Sequence, residues 1–433
     1  ANAQHSGWSS PVANNSNLWM LTLGFTVSIM LEDDCSEISD YARRVQMKIT
    51  AIRTLVVNAR MRNWVLVKVE TDQDGLYGWG EATLEWKTRG VVGAVEDLAE
   101  LLIGQDPLRV EHCWQIMHRQ YFWRGGIVNM SALSGIDQAF WDIKGKEAGK
   151  PVCELLGGPV RNTLRLYDHL GGGSLEGMYE TGEPENFAEL ARQSVAKGFT
   201  AFKAMPIPVA EYIESASTLK KAAQRVEAMR SAVGDSIDIM LDLHARTTPA
   251  AAIQFGRMLV DYNLYWYEEP CWPEDLDGLR EVKEALPMPI ATGERLVGRW
   301  EFRPLFEKRA VSIVQPDVSH CGGISEARRI AAMAEAYLMP VACHNPQGPV
   351  STASSIHVGF ACPNYLIQEV VRNDVPWRND ILMNPLEVDR GHVPAPTTPG
   401  LGIDINEKEA RKHPFQKEVP MAFHHADGSV ADW

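Results

Sequence analysis

The chain has 433 residues, of which 45% are hydrophobic and 23% charged, and its formal net charge is −14. These fractions are typical of a globular protein and exclude a disordered or collagen-like chain. Because a single hydrophobic core stops growing at roughly 250 to 300 residues, this length predicts two domains, one of them large. The acidic balance, without any basic run, argues against nucleic acid and membrane surfaces as partners.

The seven cysteines are widely spaced and include no C-x-x-C pair. This pattern predicts neither a disulfide framework nor a zinc site, and it indicates a reducing compartment, which we take to be the cytoplasm. The apolar stretch at residues 18–31 has 14 residues, and a membrane-spanning helix needs about 20. We interpret residues 1–46 as an N-terminal extension of unknown role, with a targeting segment as the alternative, although residues 1–31 lack the basic residues of a signal peptide.

Residues 47–161 are predicted to form an α+β domain. Strand-like runs at residues 47–57 and 65–82 are rich in β-branched and aromatic residues, and the second run contains a D-G turn signal. Between Val91 and Leu156 the apolar residues recur at helical spacing. This order indicates a small sheet with helices behind it.

After about Asn162, eight short β-rich runs alternate with helical stretches. The runs are residues 163–170, 200–205, 237–244, 264–269, 289–294, 311–317, 340–344 and 365–369. Eight β/α units predict an α/β fold, namely a closed parallel (β/α) barrel of the TIM type. A doubly wound open sheet is the alternative, but GGGS at residues 171–174 lacks the G-x-G-x-x-G spacing expected after its first strand.

Three acidic residues end three consecutive predicted strands. Asp242, Glu268 and Glu294 follow one another at intervals of 26 residues, which is one β/α unit each. The carboxyl ends of barrel strands meet in one mouth, so we expect these carboxylates to converge. Converging carboxylates repel one another unless a cation lies among them, and an all-oxygen set suits Mg²⁺. The sequence therefore predicts one divalent ion held by these three residues.

Two histidines are expected to face the same mouth. His344 ends the seventh strand and Asp317 the sixth, and a carboxylate that holds one ring nitrogen raises the basicity of the other. His244 lies two residues after Asp242, so both side chains point the same way if the segment is a strand. This arrangement predicts one base and one acid, whereas we interpret His320, in SHCGG, as a structural residue.

The motifs DLH, YEEP, ATGE, QPDVSHCGG, HNPQGP and LIQE, in this order and spacing, resemble those of the enolase superfamily, mandelate racemase subgroup. The similarity extends over residues 47–433. It implies that residues 162–369 form the barrel, and that residues 47–161 together with the C-terminal segment 370–433 form an α+β capping domain. It also implies a homo-oligomer, for which an octamer is one expected size.

The resemblance implies a role for each of these residues. Metal ligands fall on Asp242, Glu268 and Glu294, the general base on His344 paired with Asp317, the acid on His244, and a contact with the substrate carboxylate on Glu369. The implied enzyme is a Mg²⁺-dependent hydro-lyase that removes the C2 proton and the 3-hydroxyl of a sugar acid and forms a 2-keto-3-deoxy acid. Galactonate is the first expected substrate, with gluconate or a pentonate as alternatives. Lys203 and Arg124 are expected to contribute to substrate binding.

Other functions stay open at this point. A racemase of the superfamily commonly uses a K-x-K pair on the second barrel strand, and here Met205 replaces the second lysine, which disfavours racemisation. A cycloisomerase or epimerase with one base and one acid is the alternative, and a non-catalytic sugar-acid-binding protein is the alternative from a different class. Substrate choice is expected to depend on hydrogen bonds from a capping-domain loop, with Arg60, Arg62, Asn63 and Trp64 as candidates.

Overall fold

The computed structural model describes residues 47–171, 182–207, 210–372, 374–418 and 423–432. Residues 47–433 form one compact unit. The predicted N-terminal extension, residues 1–46, lies outside the described residues. Among the helices described, none combines the length and the apolar character needed to cross a membrane.

The first part of the unit is a three-stranded antiparallel sheet with helices on one side. The strands are β1 (Ile49–Ala59), β2 (Arg62–Thr71) and β3 (Tyr77–Glu81), in that spatial order. The helices that follow are α1 (Thr88–Leu102), α2 (Val110–Arg119), α3 (Ile127–Ala148) and α4 (Val152–Leu155). The α+β character predicted for this part of the sequence is confirmed.

Helix α3 packs closely against strand β3, and two glycines of the strand make this contact possible. A Cβ added at Gly80 would lie 1.8 Å from the carbonyl oxygen of Gly135, and one at Gly78 would lie 2.1 Å from that of Ala139. Real Cβ atoms cannot approach so closely, so only glycine permits this spacing of sheet and helix.

The second part is a ring of parallel strands. Its members are β4 (Thr163–His169), β5 (Ala201–Ala204), β6 (Asp238–Asp242), β7 (Trp266–Glu268), β8 (Ile290–Thr292), β9 (Ile313–Val314) and β10 (Gln368–Val370). The last strand, β10, pairs with the first, β4, and parallel bridges join Val314 to Val341 and Val341 to Tyr365. The predicted TIM-type barrel is therefore confirmed, because a doubly wound open sheet does not pair its last strand with its first.

The barrel interior supports the count of eight units. One buried cluster takes a single residue from each of the eight predicted runs: Tyr167, Ala201, Met240, Trp266, Ala291, Ile313, Ala342 and Ile367. Large and small side chains both occur in this layer, which lets it fill the narrow centre. The interior at this level is a packed core, so any site must lie at an end of the barrel.

Helices alternate with the barrel strands along the chain. They are α5 (Pro184–Ala196), α6 (Ala216–Val233), α7 (Pro249–Met258), α8 (Leu276–Ala285), α9 (Gly298–Lys308), α10 (Gly323–Ala336) and α11 (Pro349–Ala361). Ser215, Thr248 and Asp275 cap the start of α6, α7 and α8, because each side chain accepts a hydrogen bond from a backbone N–H of the first turn.

The C-terminal segment leaves the barrel and contacts the first sheet. It contains strand β11 (His392–Pro394), which pairs with β4, and helix α12 (Glu407–Ala410). The Asp404 carboxylate accepts hydrogen bonds from the Tyr77 hydroxyl and the Trp79 indole, both at 2.8 Å. These contacts suit the expected return of residues 370–433 to the capping domain, while the exact boundaries at 161 and 369 stay predictions.

Gly80→Ala tests the close packing of β3 on α3. We expect it to lower the free energy of unfolding by about 1–3 kcal/mol or more, since the new methyl group displaces helix backbone. Gly93→Ala, in α1, is the matched control, because a Cβ there meets nothing within 4 Å and should stabilise the helix by up to about 1 kcal/mol. Denaturant unfolding of both variants measures the difference, and equal effects would contradict the packing argument.

Candidate active site at the carboxyl end of the barrel

A cavity of about 770 Å³ lies at the carboxyl ends of the barrel strands. One part of its wall comes from the capping region, through residues 61–62, residues 84–87 and Ile127. The other part comes from the ends of the barrel strands, and it includes the predicted site residues Lys203, Asp242, His244, Glu294 and His344. The cavity is thus formed jointly by the two parts of the unit.

Three carboxylates converge at the base of this cavity. Asp242 and Glu268 are register partners at the ends of β6 and β7, and Glu294 follows two residues after β8. One ligand oxygen from each of the three lies within 4.8 Å of the others. The predicted convergence is therefore observed, and the oxygen set fits a hard divalent cation. One oxygen of Glu294, Oε2, is buried and accepts no hydrogen bond from any described residue.

Lys203 lies among these carboxylates and is itself completely buried. Its ammonium nitrogen is 2.6 Å from Glu268 Oε1, 3.1 Å from Glu369 Oε1 and 3.3 Å from Asp242 Oδ2. Burial lowers the pKa of this lysine, but the surrounding carboxylates outweigh burial and hold the pKa well above its ordinary value. Among the described residues, one ammonium therefore faces four acidic groups, when Glu294 is included, and the acidic groups outnumber it.

The pKa values of Asp242 and Glu268 shift in opposite directions in these surroundings. Burial raises the pKa of Asp242, but the charge of Lys203 outweighs it and holds that pKa well below its ordinary value. For Glu268, burial prevails over Lys203, and with the repulsion from Asp242 and Glu369 it raises the pKa to about 8. A cation among these groups would favour the ionised form of each of them.

His344 and Asp317 form the predicted imidazole–carboxylate pair. The two residues are neighbours through a parallel bridge, and His344 Nδ1 lies 2.8 Å from Asp317 Oδ2. Because a carboxylate accepts, Nδ1 carries the hydrogen, and Nε2 is left 3.5 Å from Glu294 Oε2. Burial lowers the pKa of His344, but the Glu294 charge and the bond to Asp317 outweigh it and raise the pKa to about 10.

His244 reaches the cavity by a route that the sequence did not indicate. Strand β6 ends at Asp242, and His244 lies in the turn that follows, with a positive φ of 55°. The expectation that strand alternation directs this side chain is therefore wrong, because the backbone turns before residue 244. His244 Nε2 lies 4.0 Å from Glu294 Oε1, so the two imidazoles approach the two oxygens of one carboxylate.

Glu369 and Arg124, the other two predicted substrate contacts, do not line the cavity. Glu369 is completely buried behind the cavity wall, where its Oε2 accepts a hydrogen bond of 2.7 Å from the backbone N–H of Asn345. Arg124 lies exposed on the turn before α3 and is not among the residues that line the cavity. The structure thus does not bring Arg124 to the carboxylates, and the substrate contacts of both residues stay predictions.

Of the four candidate loop residues, only Arg62 lines the cavity. Its guanidinium forms an ion pair of 2.8 Å with Glu85, which is also part of the wall. Asn63 and Trp64 are fully buried elsewhere, and Arg60 lies over the ring of Trp377.

Two further histidines line the cavity. His169 is buried at the end of β4, where burial and the charge of Lys203 lower its pKa to about 4. The sequence motif YDH ends this strand at His169, one residue before the end of the predicted run at Leu170. His320 Nδ1 lies 2.8 Å from Ser131 Oγ on α3, so this residue joins the barrel to the capping region as well as lining the cavity.

Comparison with known proteins gives the same fold class. Residues 186–409 match the enolase C-terminal domain-like family, and residues 38–157 match the mandelate racemase / muconate lactonizing enzyme N-terminal domain. A D-galactonate dehydratase of Verminephrobacter eiseniae is 39% identical over 397 residues, which cover 89% of this chain and all of that protein. A D-galactonate dehydratase of Ralstonia pickettii has the same identity and coverage.

Solved structures of similar proteins have the same fold as this chain. A mandelate racemase/muconate lactonizing enzyme-like protein from Rubrobacter xylanophilus superposes with a TM-score of 0.80 at 35% identity, over 87% of this chain and 99% of that one. A member of the enolase superfamily from Salmonella Typhimurium gives 0.79 at 33% identity, over 85% and 98%. The chain belongs to the enolase superfamily, mandelate racemase subgroup. It is an enzyme of the hydro-lyase class.

Metal binding at the three carboxylates can be measured directly. We expect Mg²⁺ to raise the melting temperature of chelator-treated protein, since binding at a hundred times the dissociation constant stabilises by about 2.7 kcal/mol. Asp242→Asn removes one of the three candidate charged ligands and should lose most of the shift. The control is Asp404→Asn, a carboxylate that contacts Tyr77 and Trp79 outside the cavity, and a shift of equal size in both variants would contradict the assignment.

Proposed function

We propose that this enzyme is a Mg²⁺-dependent dehydratase of an aldonic acid, with D-galactonate as the first candidate substrate. The observation that carries the proposal is the arrangement of two imidazoles on either oxygen of Glu294, beside the other carboxylates of a metal-binding triad. The relatives named D-galactonate dehydratase, which this chain matches over their whole length, support the substrate class. Asp242, Glu268 and Glu294 would hold the ion.

The difficulty of the reaction lies at C2 of the substrate. Removing a proton next to a carboxylate places a second negative charge on a group that is already anionic. Mg²⁺ held by Asp242, Glu268 and Glu294 would stabilise that charge and would also neutralise Glu294, whose charge raises the pKa of His344. The proton transfers are carried out by side chains of the protein.

His344 acts as the base. Asp317 holds Nδ1–H, so the lone pair of Nε2 takes the C2 proton, and a base positioned in this way contributes about 10² to 10⁴ in rate. The electron pair of the broken C2–H bond first moves onto the substrate carboxylate, which becomes an enediolate. That electron pair then forms the C2–C3 double bond as the C3–O bond breaks. His244 gives a proton to the departing 3-hydroxyl, which leaves as water, and the enol product tautomerises to a 2-keto-3-deoxy acid.

The alternatives are weaker on specific grounds. Racemisation by a K-x-K pair needs a second lysine, and Met205, which follows β5 and lines the cavity, cannot accept a proton. An epimerase or cycloisomerase with one base and one acid is the alternative within the superfamily, and exchange of the C2 proton without dehydration would favour it. A binding protein needs neither the Asp317–His344 pair nor a second imidazole across Glu294. A cytoplasmic location and a homo-oligomer, with the octamer as one size, belong to the same proposal.

The substrate is tested by incubating the purified chain with a panel of hexonates and pentonates, in Mg²⁺ and again in excess chelator. We expect 2-keto-3-deoxy product from galactonate in Mg²⁺, and none in chelator, because the charge on the substrate carboxylate then lacks its stabilisation. Product from another acid would keep the mechanism and replace the substrate. Binding without turnover or exchange of the C2 proton would contradict the proposal and favour a binding protein.

The two histidines are distinguished by solvent deuterium exchange at C2. His344→Asn should abolish both exchange and dehydration, with a loss of about 10² to 10⁴ in kcat. His244→Asn should lose dehydration by a similar factor but retain exchange, since proton removal precedes departure of the hydroxyl. The control is His112→Asn, an exposed residue of α2. Loss of exchange in the His244 variant would show that the assigned roles are wrong.

A further inference from the structure

The segment that follows the base is held by buried charged groups from four parts of the chain. We call residues 345–348 the base loop, because it joins His344 to helix α11. Each residue of the loop has a backbone group bound by a charged side chain: Asn345 N–H by Glu369, Pro346 C=O by Arg62, Gln347 C=O by Arg378 and Gly348 N–H by Glu81, at 2.7 to 2.8 Å. A surface loop is normally mobile, whereas this one is fixed at every residue.

Glu81, the last residue of strand β3, makes the most extensive of these contacts. It is completely buried, and its Oε1 accepts hydrogen bonds of 2.7 Å from both Gly348 N–H and the Thr83 hydroxyl. Its Oε2 accepts a hydrogen bond of 3.0 Å from Ser351 N–H. The two N–H groups belong to the start of α11, where backbone donors have no partner within the helix.

The carboxylate therefore caps a helix from another part of the fold. Residue 348, at the N-cap position, is glycine and has no side chain to do so. A Cβ at this position would lie 2.5 Å from Glu81 Oε1, so glycine admits the carboxylate. Serine or aspartate at residue 348 would cap the helix locally without burying a distant carboxylate. A cap supplied by β3 also connects the base loop to the first sheet, which a side chain at residue 348 could not do.

We propose that Glu81 is a positioning residue for the base: it fixes the start of α11, and through the base loop it keeps His344 Nε2 directed into the cavity. This inference rests on the proposed function, in which His344 removes the C2 proton. Glu81 is not among the residues that line the cavity, so it acts through the loop and not on the substrate.

Loss of the Glu81 contacts should therefore change kcat and KM by different factors. A displacement of about 1 Å in a reacting group can reduce the rate by about 10²-fold, so losing the Glu81 contacts should lower kcat. The metal-binding carboxylates lie on β6, on β7 and after β8, none of which carries the base loop. Mg²⁺ affinity should therefore change little, and substrate KM, to which Pro346 and Gln347 of the base loop contribute as part of the cavity wall, should change less than kcat.

The test is Glu81→Gln, which keeps the size of the side chain. Whichever way the amide is oriented, its NH₂ group faces an N–H of either Gly348 or Ser351, donor against donor. The matched control is Asp142→Asn in α3, because that completely buried carboxylate accepts from the backbone N–H of Trp79 and Leu401 and does not touch the base loop. We would measure kcat per binding-competent site, counted by calorimetric titration with a 2-keto-3-deoxy acid, together with KM and melting temperature.

We expect Glu81→Gln to lose tenfold to hundredfold in kcat per competent site with KM within threefold of wild type, and Asp142→Asn to stay within threefold in both. An unchanged kcat per site in Glu81→Gln, or an equal loss in the two variants, would overturn the inference and indicate a purely structural role. A wild type that turns over no sugar acid would instead contradict the proposed function.

If Glu81→Gln does not fold, Gly348→Ala gives the same test. The backbone at residue 348 has φ −75° and ψ −175°, which alanine adopts without strain. Its methyl group would therefore act by displacing the Glu81 carboxylate. The same fall in kcat per site at constant KM is expected, and wild-type kcat in this variant would overturn the inference.

Discussion

Excess negative charge, buried at the carboxyl end of the barrel, is the constraint on which the rest of the site depends. In the part of the chain that the structure describes, one ammonium, that of Lys203, faces four acidic side chains in a region almost without solvent: Asp242, Glu268, Glu294 and Glu369. Isolated charges in such a place are strongly unfavourable unless they are paired or bind a metal. The opposite pKa shifts of Asp242 and Glu268 are a direct result of this competition. A divalent cation is the simplest way to balance the charge.

The histidines belong to the same electrostatic unit. Both imidazoles lie beside Glu294, and the pKa of His344 is raised partly by that carboxylate. Metal binding at Glu294 would therefore change the protonation state of His344, the proposed base. The proposed base would then depend on the metal even though it is not one of the proposed ligands.

The capping region contributes to the site in two ways. It supplies part of the cavity wall, including the Arg62–Glu85 ion pair. It also contacts the loops that follow Asp317 and His344, since Ser134 Oγ on α3 accepts a hydrogen bond of 2.9 Å from Gly322 N–H, and Glu81 on β3 binds the start of α11. The close packing of β3 on α3 is thus relevant to the chemistry, because both elements hold loops that carry the Asp317–His344 pair.

The sequence by itself determined the barrel, its eight units and the residues at the strand ends. Asp242, Glu268, Glu294, Asp317 and His344 recur at intervals of 23 to 27 residues. In a closed barrel this period alone is enough to bring them together, whatever the helices between them do. The family motifs then supplied roles for these positions, including those of His244 and Glu369.

Only the tertiary structure decided the rest. It placed His244 in a turn, Arg124 at the surface, His169 in the cavity wall and Lys203 among the carboxylates. The contact between Glu81 and the base loop spans 267 residues of sequence. Such contacts arise when the first sheet and its helices pack against the barrel, and no local periodicity encodes that packing. A repeating pattern specifies which residues share a strand end, whereas the partner of each buried charge depends on how separate elements come together in space.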